Sequence, residues 1–355
     1  MAIKVFTRTK DIENIVNNLN LEKVKLQQKN ILITGAFGFI GKYILDVFIK
    51  LIEENNIELN IYALDNFITS KQMYLNYYKE RGINCINHDI TNPLNLDIEF
   101  HYVISLAGIA SPYYYQKYPL QTLNTSILGV QNLFKLNHNK ETRFVYFSSS
   151  EIYGDPNEEN IPTKESYRGN VSSIGPRACY DESKRVGETI CYIYSKKFNK
   201  NISIVRPFNV YGPSMEINDY RIIPNITRSF LFKEKLNIYD NGKQTRTYCY
   251  ISDAINGFLK VIFNREKFEI YNIGNNTGEI NVLNLVERVE KVINTNIDYQ
   301  ISDYPKEYPA DQPQRRCPDI SKAIKKINYK PLITLDEGIQ NHFEWFVDAK
   351  LKKSL

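Results

Sequence analysis

The stretch Lys29-Asn30-Ile31-Leu32-Ile33-Thr34-Gly35-Ala36-Phe37-Gly38-Phe39-Ile40-Gly41 decides the fold. Its first half is an apolar run short enough for a buried strand. Gly35, Gly38 and Gly41 follow at a spacing of three, and Lys42-Tyr43-Ile44-Leu45-Asp46-Val47-Phe48 then places apolar residues at helical intervals. Strand, glycine turn and helix in that order make a phosphate cradle. The glycines let the chain bend sharply and let a phosphate reach backbone N–H groups, while the helix N-terminus contributes partial positive charge. The same spacing also fits a glycine-rich turn with no ligand, so the signal needs support from elsewhere in the chain.

That support comes next. Asn60-Ile61-Tyr62-Ala63-Leu64 reads as the following strand and ends in Asp65-Asn66. An acid there suits the ribose hydroxyls of NAD and repels the extra phosphate of NADP, although Lys71 could meet such a phosphate and Asp65 could merely cap a turn. The intervening helix reads as roughly residues 42–54. Gly82-Ile83-Asn84-Cys85-Ile86-Asn87 is the third predicted strand, followed by His88-Asp89-Ile90, where Asp89 could bond an adenine amino group. Tyr102-Val103-Ile104-Ser105-Leu106-Ala107-Gly108 is the fourth, running into a small-residue turn. The expected cofactor contacts are therefore Gly35, Phe37, Gly38, Phe39, Ile40, Gly41, Asp65, Asn66, Asp89, Ile90, Leu106, Ala107 and Gly108.

Alternating strand and helix patterns predict an α/β fold, a Rossmann-type doubly wound parallel sheet with a smaller α/β lobe for substrate. Residues 122–136 have helical spacing. Arg143–Phe147 is the fifth predicted strand, 201–207 the sixth, and Phe268–Gly274 a late strand returning to the sheet. The fifth delivers Ser148-Ser149-Ser150-Glu151 at its carboxyl end, where such sheets bind ligands. The domain reading is an extension at 1–28, a dinucleotide-binding domain at 29–207 with 247–273 returning to it, and a lobe at 208–246 and 274–347. The extension carries no motif; a flap or an oligomer contact are the roles open to it.

The composition narrows the function. The chain has 355 residues and a net charge of +5 with its basic residues scattered, which does not signal nucleic acid. Cys85, Cys179, Cys191, Cys249 and Cys317 are odd in number and lack metal-ligand spacing, and His88, His101, His138 and His342 do not cluster with them. Neutral thiols in a reducing, cytoplasmic setting and no catalytic metal are expected. No apolar run is long enough for a membrane span, and no signal-peptide core is present.

Tyr180-Asp181-Glu182-Ser183-Lys184 opens an amphipathic helix predicted over 180–198. Tyr180 and Lys184, four apart, share a face, and a nearby ammonium favours phenolate, so Tyr180 could act as a base near neutral pH. Lys184 could also bond the nicotinamide ribose. The tyrosine–lysine spacing is weak alone; its weight comes from order, since the glycine turn, Asp65, Ser149 and Tyr180/Lys184 follow the plan of a short-chain dehydrogenase.

The chain resembles the extended short-chain dehydrogenase/reductases that modify nucleotide sugars, over residues 29–346, and within them the UDP-glucuronate decarboxylases. The matching pieces are Ala110-Ser111-Pro112, Ser150-Glu151-Ile152-Tyr153-Gly154-Asp155-Pro156, Gly175-Pro176-Arg177-Ala178-Cys179-Tyr180-Asp181-Glu182, Gln244-Thr245-Arg246 and Pro318-Asp319-Ile320-Ser321-Lys322-Ala323. The resemblance implies bound NAD, oxidation of a sugar at C4, and loss of the C6 carboxylate from the resulting β-keto acid. It implies catalytic roles for Ser149, Ser150, Glu151, Tyr180 and Lys184, and contacts to the nucleotide sugar from Ser111, Asn209, Arg221, Arg246 and Arg316. Ser150 stands where related 4,6-dehydratases have an aspartate, which argues against standard dehydration. Ser214, Tyr220 and the Asp311-Gln312-Pro313 triplet depart from the decarboxylase pattern and leave the sugar and base open. A C4 oxidase, a 4-epimerase or an atypical dehydratase is the enzymatic alternative, and a non-catalytic NAD-binding regulator the alternative of another class. Val186, Ile190, Ile193 and Tyr194 lie on one side of the tyrosine helix, and the resemblance implies pairing of such helices in a homodimer, though the stripe could equally face the core.

Overall fold

The computed structural model describes residues 6–19, 26–55, 57–136, 138–304 and 312–351. Asp311 and part of the 1–28 extension lie outside these. Seven strands form one sheet: β1 Lys29–Thr34, β2 Leu59–Asp65, β3 Asn84–Asn87, β4 Phe100–Ser105, β5 His138–Phe147, β6 Asn201–Pro207 and β7 Phe268–Ile273. Their order is β7-β6-β5-β4-β1-β2-β3, with every neighbouring pair parallel. The chain leaves β1 toward β2 on one side and returns to β4 on the other. A crevice opens at such a reversal, beyond the carboxyl ends of the strands.

Alternate residues of the strands feed opposite faces, as the pleat requires. Ile31, Ile33, Val145 and Phe147 pack into the core beneath α2 (Phe39–Asn55). Leu32, Phe144 and Tyr146 pack into a second core with Leu133, Phe134 and Cys191, the last on α3 (Ala178–Phe198). The helix α4 (Ile251–Ile262) joins the first of these cores through Ile255, Phe258 and Leu259. Both faces of the sheet are thus covered, which is why its strands read as continuous apolar runs.

The element ends differ from the sequence reading where local geometry intervenes. β3 starts at Asn84 because Gly82 adopts φ +80° in the preceding turn and the Ile83 N–H is bonded to the Tyr78 carbonyl. The helix read over 122–136 is three consecutive helical segments, Pro119–Asn124, Thr125–Gly129 and Val130–Phe134, the middle one more widely wound. The lobe is built from short strands: Thr245–Arg246 lies between Ile280–Asn281 and Arg315–Arg316, and Leu236–Tyr239 pairs with Tyr299–Ser302.

The helix α1 (Thr9–Asn17) is docked against α2 and α4 and does not stand out as a flap. Ile12, Ile15 and Val16 are buried in the first core. Asp11, buried with them, accepts from Arg8 Nη1 at 3.0 Å, from Tyr43 at 3.2 Å and from Tyr250 at 2.9 Å. Arg8 Nη2 also donates to Asn341 Oδ1 at 2.8 Å, on the helix Leu335–Leu351, and Thr7 donates to Asp46 at 2.5 Å. One carboxylate therefore joins three elements. Removing it leaves the two buried hydroxyls without their acceptor and the Arg8 guanidinium with Asn341 alone among the described residues, at roughly 1–3 kcal/mol for each buried group. Asp11→Ala is expected to lower the unfolding free energy by about 3 kcal/mol, measured by urea denaturation; an unchanged midpoint would refute this role.

Candidate active site

The reversal point holds a cleft of about 410 Å³, within the range of small-molecule sites. It is lined by the carboxyl ends of the sheet (Gly35, Asp65, Leu106, Phe147, Ser148, Pro207) and by the lobe (Asn237, Tyr239, Gln244, Arg246, Arg316). Of the residues singled out in the sequence, Gly35, Gly38, Phe39, Ile40, Gly41, Asp65, Asn66, Asp89, Ile90, Leu106, Ala107, Gly108, Ser149, Ser150, Glu151, Tyr180, Lys184, Asn209, Arg221, Arg246 and Arg316 all line it. Phe37 does not. Its ring is stacked between Phe67 and Tyr78, and its N–H donates to Asp65 Oδ2 at 3.0 Å. Ser111 does not either, although Ala110 and Pro112 on each side of it do.

The dinucleotide end follows from the glycines. Gly35 has φ +65°, and a Cβ there would sit 2.8 Å from the Ala107 Cα; a Cβ on Gly41 would strike the Ala36 carbonyl. Only a bare backbone permits this close packing of turn, β4 end and helix. Asp65 accepts from the Phe37 and Phe67 N–H groups and from Ser70, which fixes its carboxylate at the end of β2. Burial pushes the Asp89 carboxyl up, but hydrogen bonds from Thr91 and Asn66 outweigh this and hold it below its ordinary value. A glycine cradle at a helix N-terminus with an acid at the next strand end fits NAD.

Across the cleft, α3 presents Tyr180 one turn before Lys184. Tyr180 is buried, stacks on Tyr115 with ring centroids 5.4 Å apart, and is hydrogen-bonded to Ser149. Burial pushes its phenol up to about 12 even though the Ser149 bond lowers it. Burial also pushes Lys184 down to about 8. The Lys184 Nζ lies 5.9 Å from the Tyr180 ring centre and donates to the Phe147 carbonyl at 2.9 Å. The expectation that Lys184 brings Tyr180 near neutrality is therefore corrected: in the protein alone desolvation outweighs the ammonium, which points at a carbonyl. Ser149 Oγ also accepts the Glu151 N–H at 3.2 Å, capping the short turn Ser150–Tyr153.

Glu151 is enclosed by arginines. Arg316 donates to both of its oxygens, with Nη2 at 2.8 Å, and Arg177 donates to Oε2. Burial alone would raise the Glu151 pKa; Arg316, Arg177 and Arg246 outweigh it and hold the carboxyl below the usual range. Arg246 bonds the carbonyls of Thr245 and Pro313 at 2.7 and 2.6 Å, and burial followed by Arg316 pushes its guanidinium down to about 10. Arg221 is paired with Asp219 at 2.7 Å, and Asn209, at φ +40°, donates to the Thr247 carbonyl at 2.8 Å. The sequence reading missed Tyr115, which follows Ser111-Pro112, and Arg177. Arg177 stands in the Gly175–Glu182 motif three residues before Tyr180, and that spacing is the signal that points to it.

Among the described residues no group of three or more His, Cys, Asp and Glu side chains could hold a metal ion, and no helix is long and apolar enough to cross a membrane. The cysteines are all free thiols.

The NAD dependent epimerase/dehydratase family matches residues 31–274. UDP-glucuronic acid decarboxylase 3 of Arabidopsis thaliana is 38% identical over 322 residues, 90% of this chain and 90% of that protein. UDP-glucuronic acid decarboxylase 1 of Xenopus tropicalis is 35% identical over 320 residues, 90% of this chain and 72% of that one. Among solved structures, the dTDP-glucose 4,6-dehydratase DesIV of Streptomyces venezuelae aligns with a TM-score of 0.78 at 18% identity, covering 91% of this chain and 98% of its own. The UDP-glucuronic acid 4-epimerase of Bacillus cereus, in complex with UDP-glucuronic acid and NAD, aligns at 0.71 and 24%, covering 90% and 99%. At those identities the structures speak for the fold alone, whereas the family match and the curated relatives span most of the chain. With its glycine cradle, acid at the end of β2 and Ser149–Tyr180–Lys184 set in one cleft, the chain belongs to the NAD-dependent epimerase/dehydratase family of extended short-chain dehydrogenase/reductases.

Proposed function

We propose that this enzyme decarboxylates UDP-glucuronate by transient oxidation at C4, giving UDP-xylose or its 4-keto form. The observation that carries the reading is the meeting, in one cleft with Tyr180 and Ser149, of a carboxylate held ionised (Glu151) and an arginine whose bonds run to backbone carbonyls (Arg246). The relatives at 35–38% identity support it. Gly35, Gly38 and Gly41 would hold the NAD diphosphate, Asp65 a ribose, and Lys184 the nicotinamide ribose. NAD supplies a reversible hydride acceptor for the C4 hydrogen.

The chain's own residues manage protons and charge. Ser149 would hold the C4 hydroxyl; with NAD bound, its cationic nicotinamide beside Lys184 would favour the Tyr180 phenolate, which then takes the hydroxyl proton. A C4 ketone lies β to the C6 carboxylate, so the electrons left as CO2 departs have somewhere to go. Arg246 faces the carboxylate or the developing oxyanion, where a fixed cation in a desolvated site has its largest effect. Glu151, kept ionised, orients the water that later protonates C5. Ser150, at the start of the same turn, lies against C5 and C6. Asn209, Arg221 and Arg316 are assigned to the nucleotide sugar, with Arg316 shared between Glu151 and the diphosphate.

We further infer a homodimer working in the cytoplasm. Ile190 and Tyr194 of the apolar stripe on α3 turn inward, with Tyr194 stacked on Phe134 at 4.0 Å, but Tyr192, Ile193 and Phe198 are exposed, as are Leu120 and Leu128 on the neighbouring helical run. An apolar patch of this kind fits a second copy.

Incubation with UDP-glucuronate is expected to release CO2 and yield UDP-xylose or its 4-keto form. Inert UDP-glucuronate with turnover of a neutral nucleotide sugar would instead select a 4-epimerase or oxidase. Tyr180→Phe is expected to lower kcat by about 10²- to 10⁴-fold, the usual worth of a positioned acid–base group, with nucleotide binding intact by calorimetry. Light scattering is expected to give twice the chain mass, and Ile193→Glu to shift it toward the monomer; a wild-type monomer would remove the dimer.

A further inference from the structure

Arg177 and Asp181 have no part in the chemistry above, yet both are buried beside it. They sit four apart at the start of α3, and the Arg177 Nε approaches Asp181 Oδ2 at 3.4 Å. The other end of the same guanidinium, Nη2, donates to Glu151. Asp181 Oδ1 has no hydrogen-bond partner among the described residues. Arg177 lines the cleft beside Glu151, with Tyr180 following on the next turn. The guanidinium is thus a strut between the helix that carries the phenol and the turn that carries the carboxylate.

Resting on the function proposed above, we propose that Arg177 is a positioning residue: braced from behind by Asp181, it fixes the direction of the Glu151 carboxylate relative to Tyr180. A planar guanidinium can do this because its donors lie in a rigid fork; a lysine would supply the charge without the direction. Arg316 comes from the lobe, donates to both Glu151 oxygens and shares Oε2 with Arg177, so only Arg177 ties that carboxylate to the helix that carries Tyr180. The groups that bear on Glu151 are Arg316, Arg177, Arg246, Arg221, Tyr180 and Asp181, and those on Asp181 are Arg177, Glu151, Arg316, Tyr180 and Cys179. Removing Arg177 therefore takes one of the cations from Glu151 and leaves both carboxylates to share the rest. With burial opposing ionisation, the Glu151 carboxyl must then move up.

The test uses the full-length enzyme carrying Arg177→Met, Arg177→Lys or Asp181→Asn, each assayed with UDP-glucuronate across pH. Arg177→Met is expected to lower kcat by about 10- to 100-fold, the scale of a misplaced catalytic group, with KM changed less than about threefold and the acid limb of the kcat profile raised by about one pH unit. Arg177→Lys should restore the position of the acid limb but not kcat. Asp181→Asn, which keeps the fold of the helix turn, should lower kcat with Glu151 still ionised. A second readout does not need turnover. The infrared difference between each protein and the same protein carrying Glu151→Gln isolates the Glu151 carboxylate band, and its ionisation midpoint should rise in the Arg177→Met background. An inert wild-type enzyme whose band still shifts would defeat the proposed reaction and leave the strut standing. An unshifted band, or wild-type kcat in Arg177→Met, would overturn the strut.

Discussion

Exclusion of water governs this cleft more than any single contact. A desolvated charge is costly, so each titratable group there is pushed toward its neutral form unless a partner opposes the push. Tyr180 goes up to about 12, Lys184 down to about 8, Arg246 down to about 10 and Asp181 up to about 7, burial being the leading cause each time. Glu151 alone among them moves the other way, toward its ion, because three arginines surround it. Beside Tyr180 the site thus holds an ionised carboxylate, Glu151, among groups poised to change charge when a charged ligand enters. Perturbation of this kind, concentrated in one cleft, is what distinguishes a reacting site from a merely concave surface.

The same constraint explains what could be read from the sequence. The glycine turn, Asp65, the strand ends and the Tyr180/Lys184 pair were legible because each is a local pattern whose meaning depends on neighbours in the chain. The parallel, helix-covered sheet followed from alternating strands and helices, and nearly every nominated site residue lines the cleft. What escaped depends on distance through space. Nothing near residue 37 says that its N–H is spent on Asp65, or that its ring will be wedged between Phe67 and Tyr78. Nothing near Lys184 says that its ammonium will turn to the Phe147 carbonyl, so the effect on the phenol was overestimated. Arg316 was read as a diphosphate ligand, and its grip on Glu151 spans 165 residues of chain.

The first helix carries the same lesson. Thr9–Asn17 has no motif, and its sequence pointed only to a flap or an oligomer contact. Its weight lies in Asp11, whose hydrogen-bond partners come from residues 8, 43 and 250. Because Arg8 also holds Asn341, the helix links the glycine-turn half of the molecule to the helix that ends the described chain. A cleft closed by two halves keeps its geometry only if the halves are fixed to one another somewhere away from the ligand. Buried, satisfied polar groups do that with more direction than apolar contacts can.

The pairing of a serine at 150 with a clamped carboxylate at 151 bears on which chemistry the cleft favours. Expelling a hydroxyl from C6 needs an acid with a proton to give. A serine hydroxyl is too weak an acid near neutral pH, and Glu151, held below its usual range, has already lost its proton. Losing CO2 makes the opposite demand. The departing group needs no proton, the electrons it leaves behind need a ketone and a nearby cation, and a proton is called for only afterwards, at C5. In the proposed reaction Arg246 would meet the middle requirement, and the ionised Glu151 carboxylate, by orienting a water, would meet the last. The charge states that the arginines impose on this pocket therefore suit decarboxylation and oppose dehydration, and they do so through residues that come from both sides of the cleft.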